Sequence, residues 1–507
     1  VYIVTAKEMY DMDRYTVEEM GLDARILMEN AGRAVCYELT KIITKKDRIC
    51  VMVGGGNNGG DGFVIARTLK NKNYHVTVIQ VVPDEKITGD VQYNKTLFLN
   101  CGGSVVVTTE ASDISKIATN SDVIIDAMIG IGVHDKLREP TATIVSIINE
   151  FAPRIISVDI PTGLPADEGI TGFSAIQADY TIIIEAPKMS LYLQHTAAFY
   201  GKWKVVSIGI PANAIEETPA RLIWDQHQFQ QTMPKRGLYA HKGDHGKGLA
   251  IGGSKEMPGS IAMTAKAALR TGAGLLTVGT TESVIPTIAS TCVEATYLAL
   301  SRNKESDLMT MSIPFDKYDA IVIGMGLGRE KRAEQLVQNV LTEANYPVII
   351  DADGLYHAKF AHTKLTKRLY PTIMTPHPGE MAMLLDVSVA ELLEKPFYYS
   401  TKFARDHQVY LVLKGKNTII TAPGGQQAVN TTGNQGLAKG GSGDVLSGII
   451  LAMVMQHKSI FQALCNACFV HGMAADLLVT DNHSYYDLMA TDVIEGIPAV
   501  YRTFLDM

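Results

Sequence analysis

The stretch Ile49-Cys50-Val51-Met52-Val53-Gly54-Gly55-Gly56-Asn57-Asn58-Gly59-Gly60-Asp61-Gly62 joins a short apolar run to a glycine-rich turn and the start of a helical pattern. Ile49 to Val53 is short, continuous and rich in β-branched residues, which predicts a strand buried on both faces. Glycines after it let the backbone turn tightly and come close to a ligand. The helical pattern runs on from Gly62 to Lys70. A strand that enters a helix this way begins a crossover unit of a parallel sheet. Free N–H groups and the helix dipole at such a turn favour an anion, so the loop reads as a dinucleotide or phosphate site. A tight strand-to-helix turn without a ligand would use the same glycines.

Further strands are predicted on either side at His75–Val82, Ser104–Val107, Val123–Asp126, Ile155–Ile160, Thr181–Glu185 and Lys204–Ile208. Helical patterns such as Ala24–Ile43 and Ile144–Glu150 fill the gaps, giving a Rossmann-like three-layer αβα sandwich. A helix from about Lys7 precedes the first strand and is expected to pack on the outside. Asp126 and Asp159 end two of the strands, the second within Val158-Asp159-Ile160-Pro161-Thr162-Gly163. In an open parallel sheet these carboxyl ends share one rim with the glycine loop. Carboxylates, an Asn and a Thr hydroxyl there are hard acceptors, suited to an alkali or alkaline-earth cation. Either Asp alone could equally cap the next loop or helix.

Regularity breaks between residues 210 and 240, where Pro211, Pro219, Pro234 and Gly237 punctuate a polar stretch. The domain boundary is placed there, giving residues 1–215 and 222–507. The second half restarts with strands at Gly248–Ile251, Leu275–Gly279, Ala320–Ile323, Val348–Asp351, Thr372–Met374, Tyr410–Leu413 and Thr418–Thr421, and ends in helices. It reads as a second α/β sandwich. Its sharpest signal is Asn434-Gln435-Gly436-Leu437-Ala438-Lys439-Gly440-Gly441-Ser442-Gly443-Asp444, which precedes an apolar helix. Backbone amides of such a loop converge where a transferring phosphoryl carries negative charge, and Asp444 can take the proton of an attacking hydroxyl. The bland alternative is a helix start with Asp444 as a dipole partner. Gly324 to Gly328, Asp351-Ala352-Asp353, Thr375 to Glu380 and Lys414 to Thr418 stand at other strand ends. Glu380 could hold a water of a magnesium ion, whereas His377 alone could be a satisfied turn residue. No Walker A motif occurs, so this is no P-loop kinase.

The net charge of −7 over 507 residues argues against nucleic-acid binding, which needs excess Lys and Arg. The opening residues, with Lys7, Glu8, Asp11 and Asp13, do not read as a signal peptide, and no membrane span is expected. Six Cys, mostly in apolar surroundings, suit a reducing, cytoplasmic protein. Cys465 and Cys468 form a CxxC inside an Ala-rich helical stretch, where packing is the better account than metal or redox chemistry.

Taken together, these motifs resemble a known family. Met28-Glu29-Asn30-Ala31-Gly32, the Gly-Asn-Asn-Gly-Gly-Asp-Gly loop, Asp126 with its glycines and the Asp159 segment resemble the NAD(P)HX epimerase domain. His241-Lys242-Gly243, Gly252-Gly253-Ser254, Gly326-Leu327-Gly328, Asp351 to Asp353, Thr375 to Glu380 and the Asp444 loop resemble the ribokinase-like NAD(P)HX dehydratase domain. The resemblance covers nearly the whole chain and implies repair of hydrated NADH and NADPH. It implies that Asn57, Asn58, Gly59, Gly60 and Asp61 bind the damaged nucleotide, with Gly130, Ile131, Gly132, Val133, His134, Asp135 and Lys136. Asn58, Asp126 and Thr162 would hold potassium, and Asp159 would meet the nicotinamide end as acid/base. In the second domain Gly326, His377, Pro378, Gly379, Glu380, Met381, Ala382, Met383 and Asp444 would contact the hydrate. Lys414, Gly415, Lys416, Asn417 and Thr418, with Asn434, Gln435, Gly436, Leu437, Ala438, Lys439, Gly440, Gly441, Ser442 and Gly443, would bind the donor nucleotide, expected to be ADP with Mg2+. A homo-oligomer is the expected assembly. Two departures stand out: Thr162 where Ser is commoner, and Met325 where Pro is commoner.

From the residues alone, an ordinary small-molecule kinase and a non-catalytic first domain stay open. A dehydrogenase is disfavoured, because no acidic residue is clearly placed at the end of the second strand except Asp84, behind Pro83.

Overall fold

The computed structural model describes residues 1–133, 135–215, 221–300 and 313–505. The chain divides into two compact units, Val1–Pro219 and Ala220–Met507. Each is described by itself.

The first unit is built on seven strands: β1 (Arg48–Val53), β2 (His75–Gln80), β3 (Val105–Val107), β4 (Val123–Ala127), β5 (Ile155–Val158), β6 (Tyr180–Ile184) and β7 (Lys202–Val206). Their order is β3-β2-β1-β4-β5-β6-β7, and every pair is parallel. The order reverses between β1 and β4. Helices departing to opposite faces there leave a crevice at the carboxyl ends, which is where open sheets bind ligands. Ile124, Ile144, Val145 and Ile148 lie in the core under one face, as expected for strands covered on both sides.

The helix after β1 begins at Asn57, not Gly62. Gly54 to Gly56 form the turn, and Asn57 to Asp61 make up the helix's first turns. Backbone approach explains the glycines: a Cβ on Gly54 would lie 2.2 Å from the Met128 carbonyl oxygen, and one on Gly59 2.1 Å from that of Gly54. The helix Ala6–Glu18 is started by Thr5, whose hydroxyl accepts from Glu8 N–H in a capping box. Its expected place on the outside needs correction, because Met9, Tyr10, Asp13 and Val17 line the cavity at the crevice.

The second unit holds β8 (Arg221–Trp224), β9 (Lys247–Ile251), β10 (Leu275–Thr280), β11 (Thr296–Ala299), β12 (Ala320–Ile323), β13 (Val348–Ile350), β14 (Thr372–Met374), β15 (Tyr410–Leu413), β16 (Thr418–Thr421) and β17 (Gln427–Asn430). They form one sheet in the order β11-β10-β9-β12-β13-β14-β15-β16-β17-β8. Pairing is parallel except for the β15–β16 and β16–β17 hairpins. The proline-punctuated stretch is therefore not all linker: β8 pairs with β17, and the helix Gln226–Thr232 follows it. Strand order again reverses, between β9 and β12. Gly252 and Gly253 follow the first of these strands, and Gly324 to Gly328 the second.

The helices Ser442–Gln456 and Ile460–Asp481 form the core of this unit. The latter is long and apolar enough to cross a membrane by length and composition, yet most of it is buried inside the unit. Cys465 and Cys468 are both buried there as free thiols. Burial pushes the Cys468 thiol up to about 12, so neither redox nor metal chemistry is favoured at it. Among the described residues no group of three or more His, Cys, Asp or Glu side chains could hold a metal.

Candidate active sites

In the first unit, the crevice opens into a cavity of about 560 Å³ lined by Gly54 to Asn58, Asp61, Gly130 to Gly132 and Asp159, among others. Asn57, Asn58, Gly59, Gly60 and Asp61 are thus gathered at one helix start with part of the loop after β4. Val133 is buried, while Asp135 and Lys136 are exposed beyond the cavity's rim, and His134 lies outside the described residues.

Asp126 is fully buried at the end of β4, and among the described residues it pairs with no cation. Its carboxylate accepts from Ser157 Oγ at 2.9 Å, Thr162 N–H at 2.9 Å and Thr162 Oγ1 at 2.6 Å. Burial pushes its pKa up, although these hydrogen bonds oppose the shift. Asn58 is buried too, and among the described residues neither polar atom of its side chain has a partner. The orphaned amide beside Gly130 calls for a partner, and the buried Asp126 carboxylate, although hydrogen-bonded, has no cation beside it among the described residues. A hard monovalent cation answers both, so the residues present fit potassium.

Asp159 lies just after β5 in the left-handed region, at φ 66°, an uncommon conformation for a residue with a side chain. Its Oδ1 accepts from Lys188 Nζ at 2.5 Å and from Ile184 N–H at 3.0 Å. Lys188 is completely buried. No local motif marked it. It reaches Asp159 only because β6 lies beside β5 in the sheet. Asp13, from the first helix, also faces this pair. Burial raises its pKa to about 6; Lys188 opposes the rise, and Asp159 and Glu185 add to it. Burial pushes Asp61 well above the usual carboxylate range, with Asp159 and Asp13 contributing. Asp84 Oδ1 accepts from Lys95 Nζ and Gln80 Nε2, at 2.6 and 2.8 Å.

In the second unit, the helix Ser442–Gln456 starts from Gly441 at φ 93° with no side-chain cap. Among the described residues the amides of Gly440, Gly441, Gly443 and Asp444 have no protein acceptor; that of Ser442 reaches Lys439 O at a long 3.4 Å. They make an electropositive cradle. Asp444 is half-buried in the first turn. Desolvation raises its pKa to about 6, helped by Asp351 and opposed by a hydrogen bond with Ser260 and by Lys414. Ser260 was not foreseen. It belongs to the helix Pro258–Thr271, whose Thr264 also donates to the Asp444 carbonyl at 3.0 Å. Gly326 approaches the same helix: a Cβ there would lie 2.9 Å from Met257 O.

Beneath the cradle, Lys414 Nζ lies 2.9 Å from Asp351 Oδ1 and 3.9 Å from Glu380 Oε2. Ser447 Oγ donates to the other Asp351 oxygen at 2.6 Å. Desolvation pulls the Lys414 pKa down, but Asp351, Glu380 and Asp444 outweigh it and the ammonium is raised. Burial raises Glu380, opposed by Lys414. A Cβ on Gly443 would sit 3.4 Å from Lys414 Nζ, so the ammonium stands directly against the loop.

Asp353 accepts from Gly328 N–H at 2.9 Å and fixes the glycine loop after β12. His377 caps the helix Pro378–Leu385: its Nδ1 accepts from Gly379 and Glu380 N–H, and Glu380 accepts from His377 N–H. That ring nitrogen is therefore occupied, as in the turn alternative. Met381 and Ala382 are buried on that helix, and Met383 is half-buried.

Lys414 to Asn417 form the turn between β15 and β16, and Thr418 opens β16; Lys416 Nζ donates to Gly433 O at 2.8 Å. Asp476 accepts from Gly433 N–H and Asn434 Nδ2, which anchors the start of the 434–443 loop. Asn434 caps the short turn Gln435–Leu437, and Lys439 donates to Tyr486 O.

Residues 24–190 match the family model described as YjeF-related protein N-terminus, and residues 249–499 match that of NAD(P)H-hydrate dehydratase. The bifunctional NAD(P)H-hydrate repair enzyme of Moorella thermoacetica is 33% identical, over 99% of this chain and 97% of that one. This chain belongs to the bifunctional NAD(P)H-hydrate repair enzymes. Among solved structures, a ribokinase-like superfamily protein from Enterococcus faecalis V583 is 25% identical with a TM-score of 0.51, covering 57% of this chain and 98% of that one. The Bacillus subtilis ADP/ATP-dependent NAD(P)H-hydrate dehydratase co-crystallized with ATP/Mg2+ is 37% identical with a TM-score of 0.49, covering 56% of this chain and 98% of that one. Within the repair family, the two matched regions fall one in each unit; Asp61, Asp126 and Asp159 lie inside the first match, Asp13 lies before it, and Asp351, Glu380 and Asp444 lie inside the second.

Proposed function

We propose that the first unit interconverts the R and S epimers of hydrated NADH and NADPH, and that the second dehydrates the S form using ADP. The observation that carries the dehydratase half is the position of Asp444. Its carboxylate is in the first turn of a helix where, among the described residues, the amides of Gly440, Gly441, Gly443 and Asp444 have no protein acceptor, with the Lys414 ammonium held against the same loop.

The hydrate bears a hydroxyl on the ring carbon beside N1, and hydroxide is a poor leaving group. Asp444 takes the hydroxyl proton as the oxygen attacks the terminal phosphoryl of the donor. The phosphorus–oxygen bond to AMP breaks, and the free amides and Lys414 stabilise the charge on the phosphoryl oxygens. The N1 lone pair then expels phosphate, and loss of a proton from the adjacent carbon restores NADH. The sum is hydrate plus ADP giving NADH, AMP and phosphate. Lys414 to Thr418 and Asn434 to Gly443 hold the donor, and Gly326 with His377 to Met383 holds the hydrate. Magnesium, when bound, neutralises donor phosphates; the Glu380 oxygen not capping His377 is available to one of its waters.

In the first unit Asn58, Asp126 and Thr162 would hold potassium, which supplies fixed positive charge at the nucleotide. Asn57 to Asp61 and the loop after β4 bind the nucleotide, and Asp159 moves a proton. The buried free thiols suit a reducing compartment such as the cytoplasm.

The test is a spectrophotometric assay at the NADH absorption band with hydrate, ADP, Mg2+ and K+. NADH and free phosphate are the expected products. A stable phosphorylated nucleotide would instead mark an ordinary kinase, and a clear rate preference for ATP would overturn the choice of donor.

A further inference from the structure

The first-unit cavity holds a carboxylate that no glycine-loop or strand-end motif accounts for. Asp13 comes from the helix Ala6–Glu18, N-terminal to the sheet, and lines the cavity with Asp159. It makes no hydrogen bond or ion pair of its own among the described residues, whereas Asp159 is tied to the buried Lys188. We infer that Asp13 is a second catalytic group of the epimerase, the carboxylic acid that works opposite the Lys188-paired carboxylate of Asp159. This rests on the epimerase reading of the first unit.

Epimerisation through ring opening needs two proton-transfer groups. Asp159 takes the proton from the ring-carbon hydroxyl, and the oxygen's electron pair becomes a carbonyl. The bond from that carbon to N1 breaks, and its electron pair goes to N1, which takes a proton from Asp13. The resulting aldehyde rotates about its bond to the ring remnant. N1 then adds to the opposite carbonyl face, returns its proton to Asp13, and the new alkoxide recovers the proton from Asp159. Nothing is oxidised or reduced, and both carboxyls end as they began.

One carboxylate paired with a cation and another left unpaired in the same cavity are pushed toward different protonation states, which is how a site comes to hold an acid and a base together. The groups facing Asp13 are Lys188, Asp159 and Glu185 from the sheet side, Asp61 from the glycine-loop helix, and Tyr10 on its own helix. Only one of them is a cation, and Asp159 already engages it. Burial and its acidic neighbours bring Asp13 to about 6, within reach of neutral pH for a proton donor.

The experiment compares wild type, Asp13→Asn and Asp13→Glu in the full chain, following R-to-S conversion by chromatography after subtracting the enzyme-free rate. A wild type that does not interconvert the epimers refutes the epimerase reading itself. Given an active wild type, Asp13→Asn is expected to lower kcat about 100-fold or more, the usual scale for general acid–base groups, with KM changed only a few-fold. Wild-type kcat falls as pH rises through the Asp13 pKa, and Asp13→Asn loses that limb. Asp13→Glu recovers part of the rate together with the limb. Circular dichroism and the thermal unfolding midpoint serve as the folding control in each variant, because dehydration reports on the second unit only. The inference fails if Asp13→Asn keeps kcat within about threefold, if only KM rises, or if Asp13→Glu is no faster than Asp13→Asn.

Discussion

Replacing Lys414 with Met tests the electrostatic frame of the second site most directly. The Lys414 ammonium is 2.9 Å from Asp351, whose side chain is 2% exposed, and 3.9 Å from Glu380. Burial alone would push Asp351 up, but Lys414 and hydrogen bonds from Ser447 and Thr375 outweigh it and hold the carboxyl below its usual range. Met fills a similar volume and leaves Asp351 with neutral partners only. Removing one member of a buried pair costs roughly 3–5 kcal/mol, so urea unfolding of the second unit at neutral pH is expected to show a loss of that size. The pH dependence has a definite sign. A depressed carboxyl contributes stability above its unfolded pKa, and that contribution vanishes as pH falls through the folded value. The gap between wild type and Lys414→Met therefore narrows below the ordinary aspartate range. Adding Asp351→Asn to Lys414→Met recovers most of the stability, because no buried charge is left unpaired, but dehydration stays lost. A loss below about 1 kcal/mol, or a gap independent of pH, would refute the buried-pair account.

Three further outcomes are expected. Asp444→Asn keeps the fold and loses most dehydration; in the wild type the rate rises with pH through about 6, since the base form is needed, and a near-normal rate in the variant would end Asp444's role. Gly448→Ala places a Cβ 2.1 Å from Thr264 O and forces the helices Ser442–Gln456 and Pro258–Thr271 apart, which is expected to cost roughly 1–3 kcal/mol by chemical denaturation; an unchanged midpoint would contradict the close packing. Exchanging KCl for choline chloride slows epimerisation by the wild type, and Asn58→Leu abolishes the difference; a persisting salt effect would place the cation elsewhere.

What could be read from the sequence was local. A strand, a glycine turn and a helix start are neighbours in the chain, so Gly54 to Asp61 and Gly440 to Asp444 announced themselves, as did Asp126 and Asp159 at strand ends. Groups brought in by the sheet were silent. Lys188 sits in an ordinary Ala-Pro-Lys-Met segment and becomes part of a site only through β6 lying next to β5. Asp13 looks like one more polar residue on an amphipathic helix. The strand β8 was hidden by surrounding prolines, and only its pairing with β17 makes it a strand. One missed feature had a signal: His377 and Glu380 stand at the three-residue spacing of a capping box, which His377 completes with Nδ1 in place of a hydroxyl.

The two units meet one electrostatic problem in the same way. The proposed nucleotide site of each unit gathers carboxylates: Asp13, Asp61 and Asp159 in the first, Asp351, Glu380 and Asp444 in the second. Several acids together in a partly desolvated space repel one another, and each unit supplies one inward lysine, Lys188 or Lys414. A single ammonium at hydrogen-bond distance can pair fully with one carboxylate only, and Asp159 and Asp351 take that place. The acids left over feel burial and their neighbours' charge more than the cation, and Asp13 and Asp444 accordingly both come to about 6. A carboxyl near that value exchanges protons readily at neutral pH, which an unperturbed aspartate does poorly. The lysine thus has two effects: it makes the cluster tolerable to the fold, and by choosing its partner it determines which carboxyl remains available for proton transfer.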